Sequence, residues 1–477
     1  MSTTGTAVDR LAADPLHDLS HLVLGPVWRP GDAEYAAGCP GFNVATVHRP
    51  EAIVAAADPG DVVATVRWAV RHGRTLAVRA TGHGAPATGP GTVLLDTRGL
   101  DAVSVDAPAR TATVGAGARW QAVLDAAAPA GLGALCGSAP GVGVVGYTLG
   151  GGLGPVARTF GLAVDRVRSI DLVSADGRLR RIDAICDPDL FWAVRGGGAA
   201  FGIVTSMTFD LLPVASVTAG GAWFSAQVAR TVLQRWREWA AAVPGSVSTS
   251  LSRLNLPPDP ALPEALRGQA LVHVRFTHVG EQDSGVALFA PMLQAATPLL
   301  SWVQQIPFAQ IGRVHADPVD PLPVAERGLL LTEFPAAAVD AFVEVTSAAA
   351  GLPLLAAELR LLGGAVAEVA GAPASAAGGR SAAFSLHVLA VAVPPIAEAV
   401  PAALQTVLDR MAPWSTGGCL VNFSGVPSPA VDAAVAAGYS AADYQRLLDL
   451  RQRHDPGGVF AAAARWAPMQ AGERSCG

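Results

Sequence analysis

Apolar positions along this chain follow two periods, and the places where the period changes outline its organisation. Up to about residue 45 the pattern suggests a short helical lead-in, with a strand over 43–50. The run Asp61-Val-Val-Ala-Thr-Val-Arg-Trp-Ala-Val-Arg-His72 then spaces its apolar residues for one face of a helix, opened by an acidic residue and stopped by Gly73. Short apolar runs at 76–79, 92–96, 102–106, 111–114, 169–174 and 201–210 read as strands, and 119–130 as a helix. Beyond Leu211-Leu-Pro213 the texture changes. A helix is predicted over 226–242, then strands at 247–254, 269–278, 356–362 and 381–393 with helices between. That order implies an α+β chain whose second part is largely one antiparallel sheet with helices on one face. The Ala/Ser/Gly stretch at 372–379 reads as a surface loop, and the chain has no internal repeat.

Two glycine-rich stretches interrupt this pattern. The first is Arg79, Ala80, Thr81, Gly82, His83 and Gly84. The second, residues 139–154, contains Pro140, Gly141, Val142, Gly143, Gly146, Tyr147, Thr148, Gly150, Gly151 and Gly154. Both strip side chains from the backbone, so that amide groups can close on something bulky and anionic. Residues 141–146 formally match G-x-G-x-x-G, with Asp165 about twenty residues on, as a Rossmann site requires. The context fails, because Gly131, Gly133, Gly137 and Pro140 leave no buried strand to enter the loop, and the glycines at 150–152 are a poor opening for a helix.

Composition narrows the chemistry. At 477 residues the chain can hold two or three domains with substantial cores. Its net charge is −6, without a basic tract, so nucleic acid and anionic membrane are poor partners. No lysine is present, which removes Schiff-base chemistry and the P-loop lysine. Cys39, Cys136, Cys186, Cys419 and Cys476 are scattered, so neither a zinc site nor a disulfide framework is expected. His273 and His278 fall on opposite faces of a strand and do not form a metal pair. With no leader-like apolar segment at the start and no later run of ~18 apolar residues, the expectation is a soluble cytoplasmic protein, monomer or homodimer.

Five ordered segments resemble the berberine-bridge-enzyme-like branch of the vanillyl-alcohol-oxidase, or PCMH-type, FAD-linked oxidoreductases. They are 79–84, 140–154, 161–165 with Leu162 and Asp165, 190–204 with Gly202, Ile203 and Val204, and the tail at 454–460. The likeness covers roughly 43–214 and returns at 420–468 with Asn422. It implies a lead-in at 1–45 and an FAD-binding domain of two subdomains at 46–215. An inserted substrate domain with a mainly antiparallel sheet would follow at 216–415, and a segment at 416–477 would return to complete the FAD domain. The two glycine loops would wrap the FAD pyrophosphate and the Ile203 region would meet the adenine. His83 would bond covalently to the flavin; the alternative is a neutral imidazole packed beside the ring. Many relatives add a cysteine link just before the proline matching Pro140. Here that residue is Ala139, and Cys136 is three positions early, so a single link is implied.

The resemblance also exposes gaps. Two tyrosines common in relatives are Leu153 and Leu420 here, and asparagines common at two further positions are Ala200 and Gly458. The usual base is therefore missing. Glu358, Arg360 and His387, on strands implied to roof the flavin, and Tyr147, in the second loop, are the candidates for proton handling or substrate binding. The implied activity is oxidation of a small organic molecule in specialised metabolism, with hydride passing to FAD and molecular oxygen accepting the electrons; Val142 matches a position where valine accompanies oxygen use. A cyclase or isomerase with a structural flavin, suited to an unusually apolar pocket, is the alternative, and a non-catalytic flavin-binding protein is a third.

Overall fold

The computed structural model describes residues 15–425 and 427–461; residues 1–14 of the lead-in and 462–477 of the tail, with Cys476, lie outside the described residues. Three sheets organise the chain. The first holds β1 (Val27–Trp28), β2 (Ala52–Ala55), β3 (Thr75–Arg79) and β4 (Thr92–Asp96) in the order β1-β2-β4-β3. The pairs β2–β4 and β3–β4 are parallel, and the helix Pro59–His72 makes the crossover between β2 and β3. Asp58 caps that helix by accepting from the Asp61 amide, and Gly73 ends it in the left-handed conformation at φ 59°. The second sheet is antiparallel: β5 (Val103–Asp106), β6 (Thr111–Gly115), β7 (Val167–Val173), β8 (Leu179–Asp183) and β9 (Ile203–Asp210), ordered β5-β6-β9-β7-β8.

The third sheet is also antiparallel. It contains β10 (Ser216–Ser225), β11 (Val247–Asn255), β12 (Ala270–His278), β13 (Leu300–Pro307), β14 (Val324–Leu331), β15 (Leu354–Leu361) and β16 (Phe384–Val391), ordered β13-β10-β12-β11-β15-β16-β14. One face packs on the helices Ala229–Ala240, Gln282–Leu293, Ala336–Val345 and Val400–Met411. Trp236, Phe276, Phe289, Phe342 and Leu386 are buried in the core between them. Alternation along each strand turns the other face toward the glycine loops, and that face is polar. The architecture is α+β, as its pattern predicts.

The tail returns to the first two sheets. Leu447 of the helix Ala441–His454 sits against Gly197, and the Leu76 amide donates to the Val459 carbonyl at 2.7 Å. Asp455 is fully buried and accepts from the amides of Val459 and Phe460. Among the described residues no helix is long and apolar enough to cross a membrane.

Some expected elements differ. Residues 43–50 form no strand. Asn43 instead bonds its side chain to the Val324 carbonyl at 2.8 Å, tying the lead-in to the third sheet, and only isolated bridges occur at Asn43 and His48. Six strands, β1, β2, β8, β10, β13 and β14, were not anticipated. Gly220 and Gly221 interrupt the alternation of β10, while Gln304, Gln305, Glu326 and Arg327 make β13 and β14 look like loop. A six-residue helix, Val144–Leu149, does open at Gly143, but no strand leads into it.

Candidate active site

β3 delivers the first glycine loop. The Arg79 side chain turns inward, where it is buried, pairs with Asp96 at 3.0 Å and donates to the carbonyls of Gly38 and Cys39. It therefore braces the loop from behind and presents no guanidinium to a ligand. Gly82 has φ +78°, and a Cβ there would lie 2.8 Å from Gly41 Cα, so the turn requires glycine. Among the described residues no backbone carbonyl accepts from the amides of residues 80–84. Thr81 joins the two loops: its hydroxyl accepts from the Gly143 amide at 3.4 Å and bonds His83 Nδ1 at 2.8 Å. His83 is stacked on Phe42 with centroids 3.9 Å apart. Burial and the charge of Arg119, opposed by Glu326, lower its pKa to about 4, so the imidazole is neutral near pH 7.

The second loop is held by the tail. Asn422 donates to the Tyr147 carbonyl at 2.8 Å, and a Cβ on Gly150 would run into its Oδ1. Thr148 spends its hydroxyl on the Val144 carbonyl, and a Cβ on Gly154 would collide with the Cys136 carbonyl. These residues shape the loop. Gly84, Gly141 and Gly146 instead border open space, with nothing within 4 Å of a Cβ. Asp165 is engaged by Arg380 and by the Leu162 amide, so its carboxylate fixes the 161–166 turn. Ile203 and Val204 open β9 beside Val173 and Leu172, and Gly202 lets the chain pass Leu172 closely. Pro140 and Val142 use their carbonyls to accept from Gln121 and Trp120. Gly151 lines a small cleft between this loop and the tail, with Leu162, Leu420, Asn422, Phe423 and Tyr439. Cys136 is buried behind the loop, where burial pushes its thiol up to about 12.

The polar face of the third sheet carries Glu358, Arg360 and His387, and the charges around them bear on which could serve as a base. Glu358 is buried between Arg275 at 2.7 Å and Arg360 at 2.9 Å. Burial pushes its pKa up, but Arg360 and Arg275 outweigh that and hold it well below the usual carboxylate range. A carboxylate so stabilised is a poor proton acceptor, and an arginine is no better. Glu358 and Arg360 are thus unsuited as bases. Tyr147 is also unsuited: its ring lies among Gly137, Gly152 and Trp120, its buried hydroxyl has no partner among the described residues, and burial pushes its pKa up. His387 has the right setting. Its Nε2 meets Glu326 at 2.7 Å and its ring stacks on Phe423 at 4.4 Å. Glu326 escaped the sequence reading because β14 did. A carboxylate two residues before Gly328, the register partner of His387, was the available signal.

Free amides, side-chain-free positions facing open space and a neutral histidine fit a bulky dianionic cofactor such as FAD. Comparison with known proteins agrees. The FAD binding domain family matches residues 50–183. (R)-6-Hydroxynicotine oxidase of Paenarthrobacter nicotinovorans is 31% identical over 251 residues, 52% of either chain. The matched stretches span 52%, 64% and 32% of the first three curated relatives, so the sequence likeness covers one third to two thirds of their length. The solved structure of a berberine-bridge-enzyme-like protein of Physcomitrella patens superposes with a TM-score of 0.81 at 21% identity, covering 94% of this chain and 97% of that one. That of 6-hydroxy-D-nicotine oxidase from Arthrobacter nicotinovorans gives 0.78 at 24%, covering 92% and 97%. The chain therefore carries an FAD-binding domain at residues 50–183, and over most of its length it shares the fold of these solved proteins.

Proposed function

We propose that the protein is an FAD-dependent oxidase of a small organic molecule in bacterial specialised metabolism, with one covalent link to FAD through His83. The observation that carries this reading is the meeting of the two glycine loops at Thr81 beside a neutral, stacked His83. Bound FAD would supply the hydride acceptor, which dioxygen would reoxidise with release of hydrogen peroxide. The amides of residues 80–84 and the open positions Gly141 and Gly146 would hold the pyrophosphate, and the Ile203–Val204 backbone the adenine. A neutral imidazole nitrogen keeps the lone pair needed to bond a carbon electrophile, which the pKa of about 4 secures for His83. His387 would accept the substrate's O–H or N–H proton, with Glu326 orienting the ring and stabilising its charged form. In this reading 46–215 binds the cofactor, 216–415 roofs the substrate and 416–477 closes the second loop.

One observation favours the second reading, a cyclase or isomerase with structural FAD. Leu153 and Leu420, at the two positions where the resemblance implies tyrosines, join Leu162, Leu330 and Phe423 in an apolar cluster. Anaerobic mixing with a turned-over substrate separates the two. Bleaching of the flavin, then one peroxide per turnover in air, is the oxidase result; an isomeric product without bleaching overturns it.

A further inference from the structure

We infer that the substrate carries a carboxylate, and that Arg275, Ser250 and Arg360 bind it on the inner face of the roof sheet; the word substrate rests on the oxidase reading, the anion site does not. The three residues stand in one row across neighbouring strands. Ser250 of β11 is the register partner of Arg275 on β12 and of Arg360 on β15, so all three side chains share a face. Arg275 and Arg360 converge on a single carboxylate, Glu358. All are more than nine-tenths buried, with exposures of 6%, 9% and 4% for Arg275, Arg360 and Glu358. Two guanidiniums thus face one negative charge. Among the described residues no other carboxylate pairs with either arginine, and Glu326 on the same face is engaged by His387. A buried positive charge left uncompensated is costly, and a bound anion removes that cost.

The hydrogen-bond inventory points the same way. The Ser250 hydroxyl, between the two arginines, is buried and has no partner among the described residues. His273 Nδ1 lies 3.1 Å from Arg275 Nε, which can only donate, so the proton of the neutral ring sits on Nε2. That Nε2 donor is also buried, with no partner among the described residues. His315 closes the cluster with Nε2 3.4 Å from Glu358 Oε1, off the hydrogen-bond axis. The next residue, Ala316, has φ 52°, an unfavourable conformation for alanine that the surrounding fold imposes beside the cluster. Buried donors thus outnumber acceptors, as an anion site requires.

The test titrates holoenzyme with acetate, benzoate and indole-3-acetate, and with the corresponding neutral amides, by calorimetry at fixed ionic strength. At least one carboxylate is expected to bind tenfold or more tightly than its amide. Arg360→Met and Arg275→Met should each remove that preference, and Ser250→Ala should weaken the carboxylate about threefold to tenfold. Arg360→Lys keeps the charge and should keep part of the preference, which guards against misfolding as the explanation. Carboxylates binding no better than amides, or a preference that survives both methionine variants, overturns the proposal. If the arginines serve only the negative charge of the reduced cofactor, the preference is absent while Arg360→Met lowers the flavin potential, and the proposal again fails. The visible spectrum reads flavin content separately: a colourless protein that still prefers carboxylates sinks the oxidase reading and leaves the anion site standing.

Discussion

His83 shows how burial sets the chemistry of one side chain. Ring stacking on Phe42 and the bond to Thr81 fix its orientation, and its pKa of about 4 keeps it neutral. Purified protein should therefore be yellow and retain flavin after acid precipitation, whereas His83→Ala should release all of it as free FAD. Wild-type protein that loses its flavin in acid rules the link out. Cys136 tests the same point from the other side. With its thiol pushed up to about 12 behind the loop, it is no nucleophile. Cys136→Ser should leave flavin content unchanged, and a flavin peptide mapped to Cys136 would contradict the placement of this loop. For the proton, His387→Ala should slow anaerobic flavin reduction by about 10²–10⁴-fold without altering the flavin spectrum. Glu326→Gln, which keeps a hydrogen-bonding group but not the charge, should slow it less. Wild-type rates in both variants would show that the reaction draws its base from elsewhere.

At the level of elements, the second glycine loop depends on the tail rather than on its own short helix. Asn422 holds the Tyr147 carbonyl and occupies the space a Gly150 side chain would need. Gly150→Ala should displace the loop and strip flavin binding, although the glycine adjoins protein and not open space. Asn422→Ala frees that space but leaves a buried carbonyl unsatisfied, a cost of about 1–3 kcal/mol. The double variant should then bind flavin better than Gly150→Ala alone. Non-covalent flavin retention in a His83→Ala background measures this directly. Equal retention in the single and double variants would mean that Asn422 is not what Gly150 makes room for.

Across the whole molecule, acid sensitivity follows from histidines buried in neutral form. His48 is lowered to about 4, chiefly by burial, and burial also lowers His273 and His315. Their folded pKa lies below the unfolded value of about 6.5. As pH falls below about 6.5 the unfolded chain gains protons that the folded chain refuses, so stability declines toward pH 4 and is level above 7 on this account. Each such histidine contributes up to about 1.4 kcal/mol per pH unit within that window. The urea midpoint at pH 5 should lie well below that at pH 7, and His315→Gln should narrow the gap. Identical midpoints at the two pH values would show that these rings protonate freely in the folded state.

Local pattern was enough for the α+β class, the helix Pro59–His72, most strands of the first two sheets and both glycine loops, because burial of alternate residues and the backbone freedom of glycine leave their mark on neighbouring positions. It did not reveal β10, β13 or β14, where adjacent glycines, glutamines or charges break the alternation of a half-buried strand. The partners of the site residues were hidden because they are distant in the chain. Arg79 meets Asp96, Asp165 meets Arg380, Glu358 meets Arg275 and His387 meets Glu326 across separations of 17 to 215 residues. Whether a carboxylate is a base or a buried counter-ion depends on the charge brought beside it, and only the paired strands of the third sheet decide that.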